Sequence, residues 1–537
     1  MKINKILFIA ICLVISLLFC ACVEKTTEIT SDNGNATNIT FSGNSASAKG
    51  YGASINGSDV RITAQGTYVL SGSTSNGSVV IDASKAEITL ILNGLDLTNT
   101  EGPAIYIKNA KRVTFTIANG TSNVLSDGDF YEIIDITTAV DGAIFAKSDI
   151  VFNGGGTLTV NGNNAHGIVG KDGLTIESGN INVNSKSAAI CGKDYINILN
   201  ANININAGTD GLRSDNITEV GKGYISIENG IFNITSENDA IQAHKMVTIN
   251  GGSFNIKTTS TDPIASSKGI KGTNGVEIYG GNIVIDSIDD GVHSDVNVLI
   301  SGGEMFISSS DDGIHANNEL SIVSGNVNIE KSYEGLEANK IKIEGGNIII
   351  NASDDGMNSA GGNDQSAGGD SFTESTGGIS ITNGYVVIHS GADGIDVVGP
   401  FSMSGGTLFV DGPSKEKSGA LDFGSDSLIT GGIVVALGFS NEPETFDRAS
   451  QGIYLIENKG EFAAGDVISV CDENGLVIFS FTSERAFNGM LISAPEFVDG
   501  NLFTIYKNAD VQGMDENGFA NYTTQTGGDV VTTITFQ

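Results

Sequence analysis

The residues of this chain best placed to do chemistry are carboxylates that recur at a fixed interval. Asp290-Gly291-Val292, Asp312-Gly313-Ile314 and Glu334-Gly335-Leu336 repeat an acid, a glycine and an apolar residue every 22 positions. The same step stands at Asp141-Gly142-Ala143, Asp210-Gly211-Leu212, Asp355-Gly356-Met357 and Asp393-Gly394-Ile395. Degenerate copies are Ala165-His166-Gly167, Asp239-Ala240-Ile241 and Lys268-Gly269-Ile270. Stacked one strand spacing apart, about 4.8 Å, Asp289, Asp290, Asp311, Asp312, Glu334, Asp354, Asp355 and Asp393 form a column of carboxylates. Neighbouring charges at that spacing repel by a few kcal/mol at an effective dielectric near 20. Such a column must protonate in part, be hydrated, or bind cations. Ca²⁺ accepts six to eight oxygen ligands flexibly, so these eight residues are candidate calcium ligands. The competing role is structural, an Asp capping a bend by accepting from a nearby backbone N–H. The doubled acids favour the cation, since one Asp per turn suffices for a cap. Neither an EF-hand pattern nor the nine-residue Gly-Gly-x-Gly-x-Asp repeat occurs.

Two residues beyond each ladder glycine the side chain is expected to point outward. Arg213, Lys271, His293, His315, Glu337, Asn358 and Asp396 then form a polar strip. His293, His315, Glu337, Asn358 and Asp396 are its candidate carbohydrate-binding residues. His293 and His315 are stacked neighbours; zinc ligation is one role for such a pair and a solvated surface is the ordinary one. Tyr195, Tyr224, Tyr279, Tyr333 and Tyr385 are candidate sugar-stacking platforms that packing would also explain.

What positions these residues is a repeat. A period near 22 in a Gly- and Asn-rich chain signals a solenoid. Within one repeat, Gly313 to Ala316, Glu319 to Val323 and Asn326 to Glu330 alternate apolar and polar residues as half-buried strands do. Three strands per repeat predict one coil of a parallel β-helix, an all-β fold. A second glycine series, including Gly281, Gly303, Gly325 and Gly346, marks a later bend. The 71 Gly, 6 Pro and absent Trp agree with a solenoid, and 537 residues fit one such domain. Residues 36–138 have longer strands without the period and are expected to cap the first open coil. Residues 139–432 are the regular helix, interrupted at Ala360 to Gly378, whose Asp364, Asp370 and Glu374 are further possible ligands. Residues 433–537 predict antiparallel strands, a C-terminal β cap or small β domain, with a hairpin turn at Asp472-Glu473-Asn474-Gly475.

The N-terminus reads as a bacterial secretory signal over residues 1–22. A short basic region precedes the apolar run Ile6 to Phe19, and Ala21-Cys22 resembles a lipobox with Cys22 as the lipidated residue. Residues 23–35 form a polar tether. With 63 acids against 28 bases the net charge is −35. That argues against nucleic acid and anionic membrane surfaces as direct partners. It fits an extracellular protein that meets divalent cations; the expected form is a monomer, lipid-anchored through Cys22 on the outer face of the membrane. The mature chain keeps only Cys22, Cys191 and Cys471, too dispersed for a disulfide framework.

Gln65-Gly66-Thr67-Tyr68-Val69-Leu70-Ser71-Gly72, Leu90-Ile91-Leu92-Asn93-Gly94 and Ala104-Ile105-Tyr106-Ile107 resemble the opening of a known family. The Asp312-Gly313-Ile314-His315-Ala316 repeats and the Leu476 to Phe481 segment resemble its remainder. The family is the bacterial secreted carbohydrate-binding β-helix proteins that are similar to polysaccharide lyases. The resemblance implies a right-handed parallel β-helix, bound calcium, and affinity for plant polysaccharides such as cellulose and polygalacturonate. Two function classes follow: a non-catalytic, surface-anchored binder, or a calcium-dependent lyase or hydrolase. A structural adhesin is a further alternative. A lyase needs a basic residue to take the C5 proton, and Arg213 is the one arginine near the ladder, some coils before the densest acids. A hydrolase needs two carboxylates about 5–10 Å apart. The absence of a basic pair opposite the Asp-Asp steps favours the binder.

Overall fold

Alternating apolar residues dictate short strands, and in the computed structural model these recur three to a repeat. The structure describes residues 36–131, 134–262, 264–359, 377–413, 418–438 and 444–536. No helix occurs among them, so the chain is all-β. One strand series includes Ile241–Ala243, Ile270–Gly272, Val292–Ser294 and Met357–Ser359. A second includes Tyr224–Ile227, Met246–Ile249 and Gly275–Ile278, and a third Gly230–Ser236, Ser253–Thr258 and Asn282–Asp286. Each strand pairs in parallel with its equivalent one repeat later: Ile270 with Val292, Val276 with Val298, Ile283 with Met305. Together they make a 43-stranded mixed sheet. Among the described residues its antiparallel pairs lie at the two ends, near Thr37–Ser42 and Ala53–Asn56 and again at Phe487–Ser493.

The three strands expected within Gly313 to Glu330 run as one unbroken strand, Ile314–Ser332. It bends without breaking because Gly325 takes φ +111°, a conformation open to glycine at little cost. Its partner Asn297–Ser308 bends at the same level, with a register shift between Ser301 and Glu304 where Gly303 has φ +92°.

Inward positions form continuous apolar columns. Ile241, Ile270, Val292, Ile314, Leu336, Met357 and Ile395 succeed one another with no exposed surface. Each such side chain contributes roughly 1.5–3 kcal/mol on burial, and one core cluster runs from Ile39 to Leu491. At the far end the outer side of the third series is also apolar. Val387, Phe409 and Val435 pack there against Phe479, Phe481 and Ile505 of a separate five-stranded antiparallel sheet. In that sheet Val467–Asp472 and Val477–Thr482 are joined by a turn in which Gly475 N donates to Asp472 O. Cys191 and Cys471 are buried and free. The signal, the tether, Cys22 and the acids Asp364, Asp370 and Glu374 lie outside the described residues.

Candidate metal centre

The pairing of the first series builds the acid column. Gly291 N donates to Asp312 O at 3.0 Å, Gly313 N to Glu334 O at 2.9 Å, Gly335 N to Asp355 O at 3.0 Å and Gly356 N to Asp393 O at 2.9 Å. Each ladder glycine thereby sets the acid of the next coil above the one before it. Glycine is required by close approach, for a Cβ on Gly291 would lie 2.6 Å from Gly313 O and 2.4 Å from Ile307 Cγ2. Asp239, Lys268, Asp290, Asp312, Glu334, Asp355 and Asp393 occupy equivalent places in turn.

Lys268 breaks the run of acids. Its ammonium lies 2.7 Å from Asp290 Oδ2 and 2.9 Å from Asp289 Oδ1, with all three side chains buried. Burial alone would raise the pKa of Asp290, but Lys268 outweighs it and holds that carboxyl well below the usual range. Burial and the adjacent Asp290 push Asp289 up against the same lysine. Asp311 joins these two in a cluster whose oxygens lie within 4.8 Å of one another.

One and two coils later the side chain facing the acid is histidine. His293 Nδ1 lies 2.7 Å from Asp290 Oδ2, and its Nε2 lies 3.1 Å from Asp295 Oδ1. His315 Nδ1 lies 3.1 Å from Asp312 Oδ2 and 2.7 Å from Glu337 Oε2, while its Nε2 faces Asn317 Oδ1 at 2.7 Å. The rings stack at 4.9 Å between centroids. Burial disfavours the His315 imidazolium, yet the bonds to Asp312 and Glu337 prevail and raise its pKa well above the ordinary value.

This corrects the expected solvent-facing strip. His293 and His315 have 0% exposure, and Glu337 and Asn358 only 3%. They turn back to the acid column, because each buried carboxylate needs a donor more than the strip needs a polar surface. Asp396 alone of the five is half-buried.

Beyond Glu337 no salt bridge among the described residues reaches Glu334, Asp355 or Asp396. Asn358 Nδ2 donates to Glu334 Oε1 at 2.9 Å, and Glu334 Oε2 is buried without a hydrogen-bond partner. Glu334, Asp354 and Asp355 converge within 4.8 Å, as do Asp355, Asp393 and Asp396. Burial, then repulsion from Glu337, pushes Glu334 up to about 9. Burial raises Asp355 to about 7, with Asp393 and Asp396 adding to it. Burial beside Asp422 raises Asp396 to about 6. An orphaned buried oxygen amid clustered carboxylates is the donor set that Ca²⁺ takes.

Two further groups stand outside the residues expected to be functional. Lys268 is visible in the sequence as a degenerate ladder step whose charge is reversed. A separate cavity of about 70 Å³ is lined by Asp141, His166, Lys171, Cys191, Lys193 and Arg213. There Cys191 Sγ stands 3.8 Å from His166 Nδ1, and burial pushes the thiol up to about 12. Among the tyrosines, Tyr195 and Tyr224 stack on each other at 5.6 Å. Tyr385 donates to Asp515 of the C-terminal region at 2.7 Å, and Tyr279 and Tyr333 are exposed.

Comparison with known proteins shows the family of the chain. A family described as "Carbohydrate-binding domain-containing protein" matches residues 56–313 and 308–453. A protein of that description from Acetivibrio thermocellus is 40% identical over 136 residues, which is 25% of this chain and 48% of the relative. The chain thus spans about half the length of the curated relative it matches. A solved structure described as the polysaccharide lyase-like protein from C. thermocellum, a gadolinium derivative, is 31% identical. It covers 47% of this chain and 95% of its own, with a TM-score of 0.40. The family match spans most of the described chain, and the protein belongs to the carbohydrate-binding domain-containing family.

Proposed function

We propose that this chain is a non-catalytic, surface-anchored carbohydrate-binding protein for plant cell-wall polysaccharides, acting as a monomer with calcium as its cofactor. In this reading the three parallel strand series close into a right-handed parallel β-helix over residues 139–432. Residues 36–138 cap its start and 433–537 cover its end. Residues 1–22 are a lipoprotein signal, Cys22 carries the lipid, and 23–35 tether the domain to the outer face of the cell membrane.

The observation that carries the calcium assignment is the orphaned Glu334 Oε2 beside Asp354 and Asp355. Glu334, Asp354, Asp355, Asp393 and Asp396 would hold the ion. When bound it offsets their charge and offers open coordination to sugar oxygens or a uronate carboxylate. Of the remaining candidates, Asp289 and Asp290 already have Lys268 as their cation, Asp311 clusters with that pair, and Asp312 lies against His315. A chain of net charge −35 repels a polyuronate, so polygalacturonate needs cations between its carboxylates and those of the protein. Cellulose is neutral and has no such need.

Against catalysis stands distance. In pairing order Arg213 is followed by Gln242, Lys271, His293, His315 and Glu337. Five strand spacings, roughly 24 Å, therefore separate Arg213 from the coil of Glu334. Lys268 is buried between two aspartates and cannot reach a polymer.

The test is a binding isotherm for each polymer in calcium and in chelator. Polygalacturonate affinity should collapse in chelator while cellulose affinity changes little. Equal polygalacturonate affinity in both would overturn calcium bridging. Unsaturated oligomers accumulating in the same incubation would move the chain to the lyase class. Cys22→Ser should release the protein to the medium, and an unmodified native Cys22 by mass spectrometry would rule out the anchor.

A further inference from the structure

We infer that Asp312, His315 and Glu337 form a second metal centre, specific for a divalent transition ion such as Zn²⁺ or Co²⁺ rather than for calcium. The three groups come from two successive coils, since His315 pairs with Glu337 and Asp312 precedes the same strand. One imidazole nitrogen and two carboxylate oxygens meet at 2.7 and 3.1 Å, with side chains 0 to 4% exposed. Their ligand atoms all lie within 4.8 Å of one another.

The donor set favours an ion here. One imidazole nitrogen and two carboxylate oxygens meet out of water, one coil from Asp290. A divalent ion bound to two carboxylates and a neutral imidazole leaves no net charge. Chemistry then selects the ion. Calcium takes oxygen ligands, whereas imidazole suits Zn²⁺ and other transition ions, and Zn²⁺ takes histidine nitrogen together with carboxylate oxygen. Bond lengths near 2.0–2.1 Å to nitrogen and oxygen place tetrahedral ligands about 3.3 Å apart, so the nitrogen–oxygen pairs at 2.7 and 3.1 Å would open by about 0.6 and about 0.2 Å. The other nitrogen of His315 is held by Asn317 at 2.7 Å, the kind of outer partner that fixes a ligating ring.

The neighbouring coil explains why the site sits here and not one step earlier. Asp290 also has a histidine, His293, but its Oδ2 is already 2.7 Å from the Lys268 ammonium. An ion at Asp290 would have to displace that lysine. No lysine or arginine among the described residues forms a salt bridge with Asp312 or Glu337.

The experiment uses the full mature chain, stripped with chelator and titrated with Co²⁺ in a large excess of Ca²⁺. The expected result is one Co²⁺ retained per chain, with the visible absorption of a nitrogen-ligated, low-coordinate ion. His315→Gln should weaken Co²⁺ by more than about 10-fold, the loss that follows even an outer partner. Glu337→Gln is the milder variant should H315Q melt early, and it should weaken the ion likewise. Glu334→Gln with Asp355→Asn should leave Co²⁺ untouched while removing calcium, so this site and the calcium site fail separately. Displacement of Co²⁺ by calcium, wild-type affinity in folded E337Q, or no retained Co²⁺ would each overturn the assignment.

Discussion

The acid column has two halves that solve one electrostatic problem differently. From Lys268 to Glu337 the buried carboxylates meet nitrogen groups: one ammonium between Asp289 and Asp290, then a pair of stacked imidazoles. From Glu334 to Asp396 the same backbone geometry continues, but no salt bridge among the described residues reaches Glu334, Asp355 or Asp396. The backbone is the same in both halves, so the repeat alone does not make a cation site. What marks the calcium half is a buried carboxylate oxygen, Glu334 Oε2, that no internal group donates to. An acid ladder is therefore best read by asking which of its rungs already face an internal nitrogen group.

The largest effect should come from taking the internal cation away. Lys268→Met removes the ammonium that buried Asp289 and Asp290 share and leaves His293 as the side chain facing Asp290; breaking a buried ion pair in this way typically costs about 3–5 kcal/mol. Adding Asp289→Asn and Asp290→Asn should recover most of it. The mirror experiment in the other half has the opposite sign: without calcium, Glu334→Gln should leave the melting temperature unchanged or raise it. Urea and thermal unfolding of the four proteins test this. Equal destabilisation by K268M and E334Q would erase the distinction between the halves.

Calcium should be the next largest effect and should act on one half only. A ligand that binds the folded state alone adds about 2.7 kcal/mol at 100 times its Kd. Glu334→Gln, Asp354→Asn and Asp355→Asn together should abolish the rise in melting temperature. Asp289→Asn with Asp290→Asn should keep it. A calcium response lost from the second set and kept in the first would place the ion beside Lys268 instead.

Acidity sharpens the contrast further. Glu334 is raised from 4.5 to about 9, and Asp355 from 3.8 to about 7. An acid raised in the folded state contributes stability that is whole below its unfolded pKa and is lost as pH rises through its folded pKa. The calcium-free protein should therefore lose melting temperature between about pH 4 and 9. Saturating calcium should flatten that fall, because the ion stabilises the ionised forms. A melting temperature that rises over this range without calcium would mean that these acids are ionised and paired.

How much of this is legible in the sequence follows from what periodicity encodes. The 22-residue step orders equivalent residues, so the stacking of Asp290, Asp312 and Glu334 follows from their spacing alone. Lys268 is in that register too, and a reversed charge in an acid column is a signal in its own right. The direction of a side chain is a different matter. Alternation along Val292-His293-Ser294 marks His293 as outward, yet outward from the apolar core is not outward to water. His293 and His315 lie under Asp295 and Asn317, and only packing between coils reveals this. The orphaned oxygen of Glu334 is likewise invisible in a string of letters, since it depends on Asn358 donating to one oxygen and nothing donating to the other.

The smallest effect comes from a second ladder that needs no cation. On the third strand series Asn204 Nδ2 donates to Asn182 Oδ1 at 2.9 Å, and Asn233 Nδ2 donates to Asn204 Oδ1 at 2.9 Å. An amide carries both donor and acceptor, whereas a carboxylate only accepts. A column of asparagines thus satisfies itself coil after coil, and it does so at an exposed position. Asn204→Ala should cost only about 0.2–1 kcal/mol, as a cross-strand pair does. Asn204→Asp is the sharper probe. It keeps the bond from Asn233, loses the one to Asn182, and leaves the new charge in water. Its cost should be no more than that of N204A, and its melting temperature should be no more sensitive to calcium than the wild type's. An added calcium response in N204D would show that a carboxylate in a ladder suffices, and that burial is not what separates the two halves of the acid column.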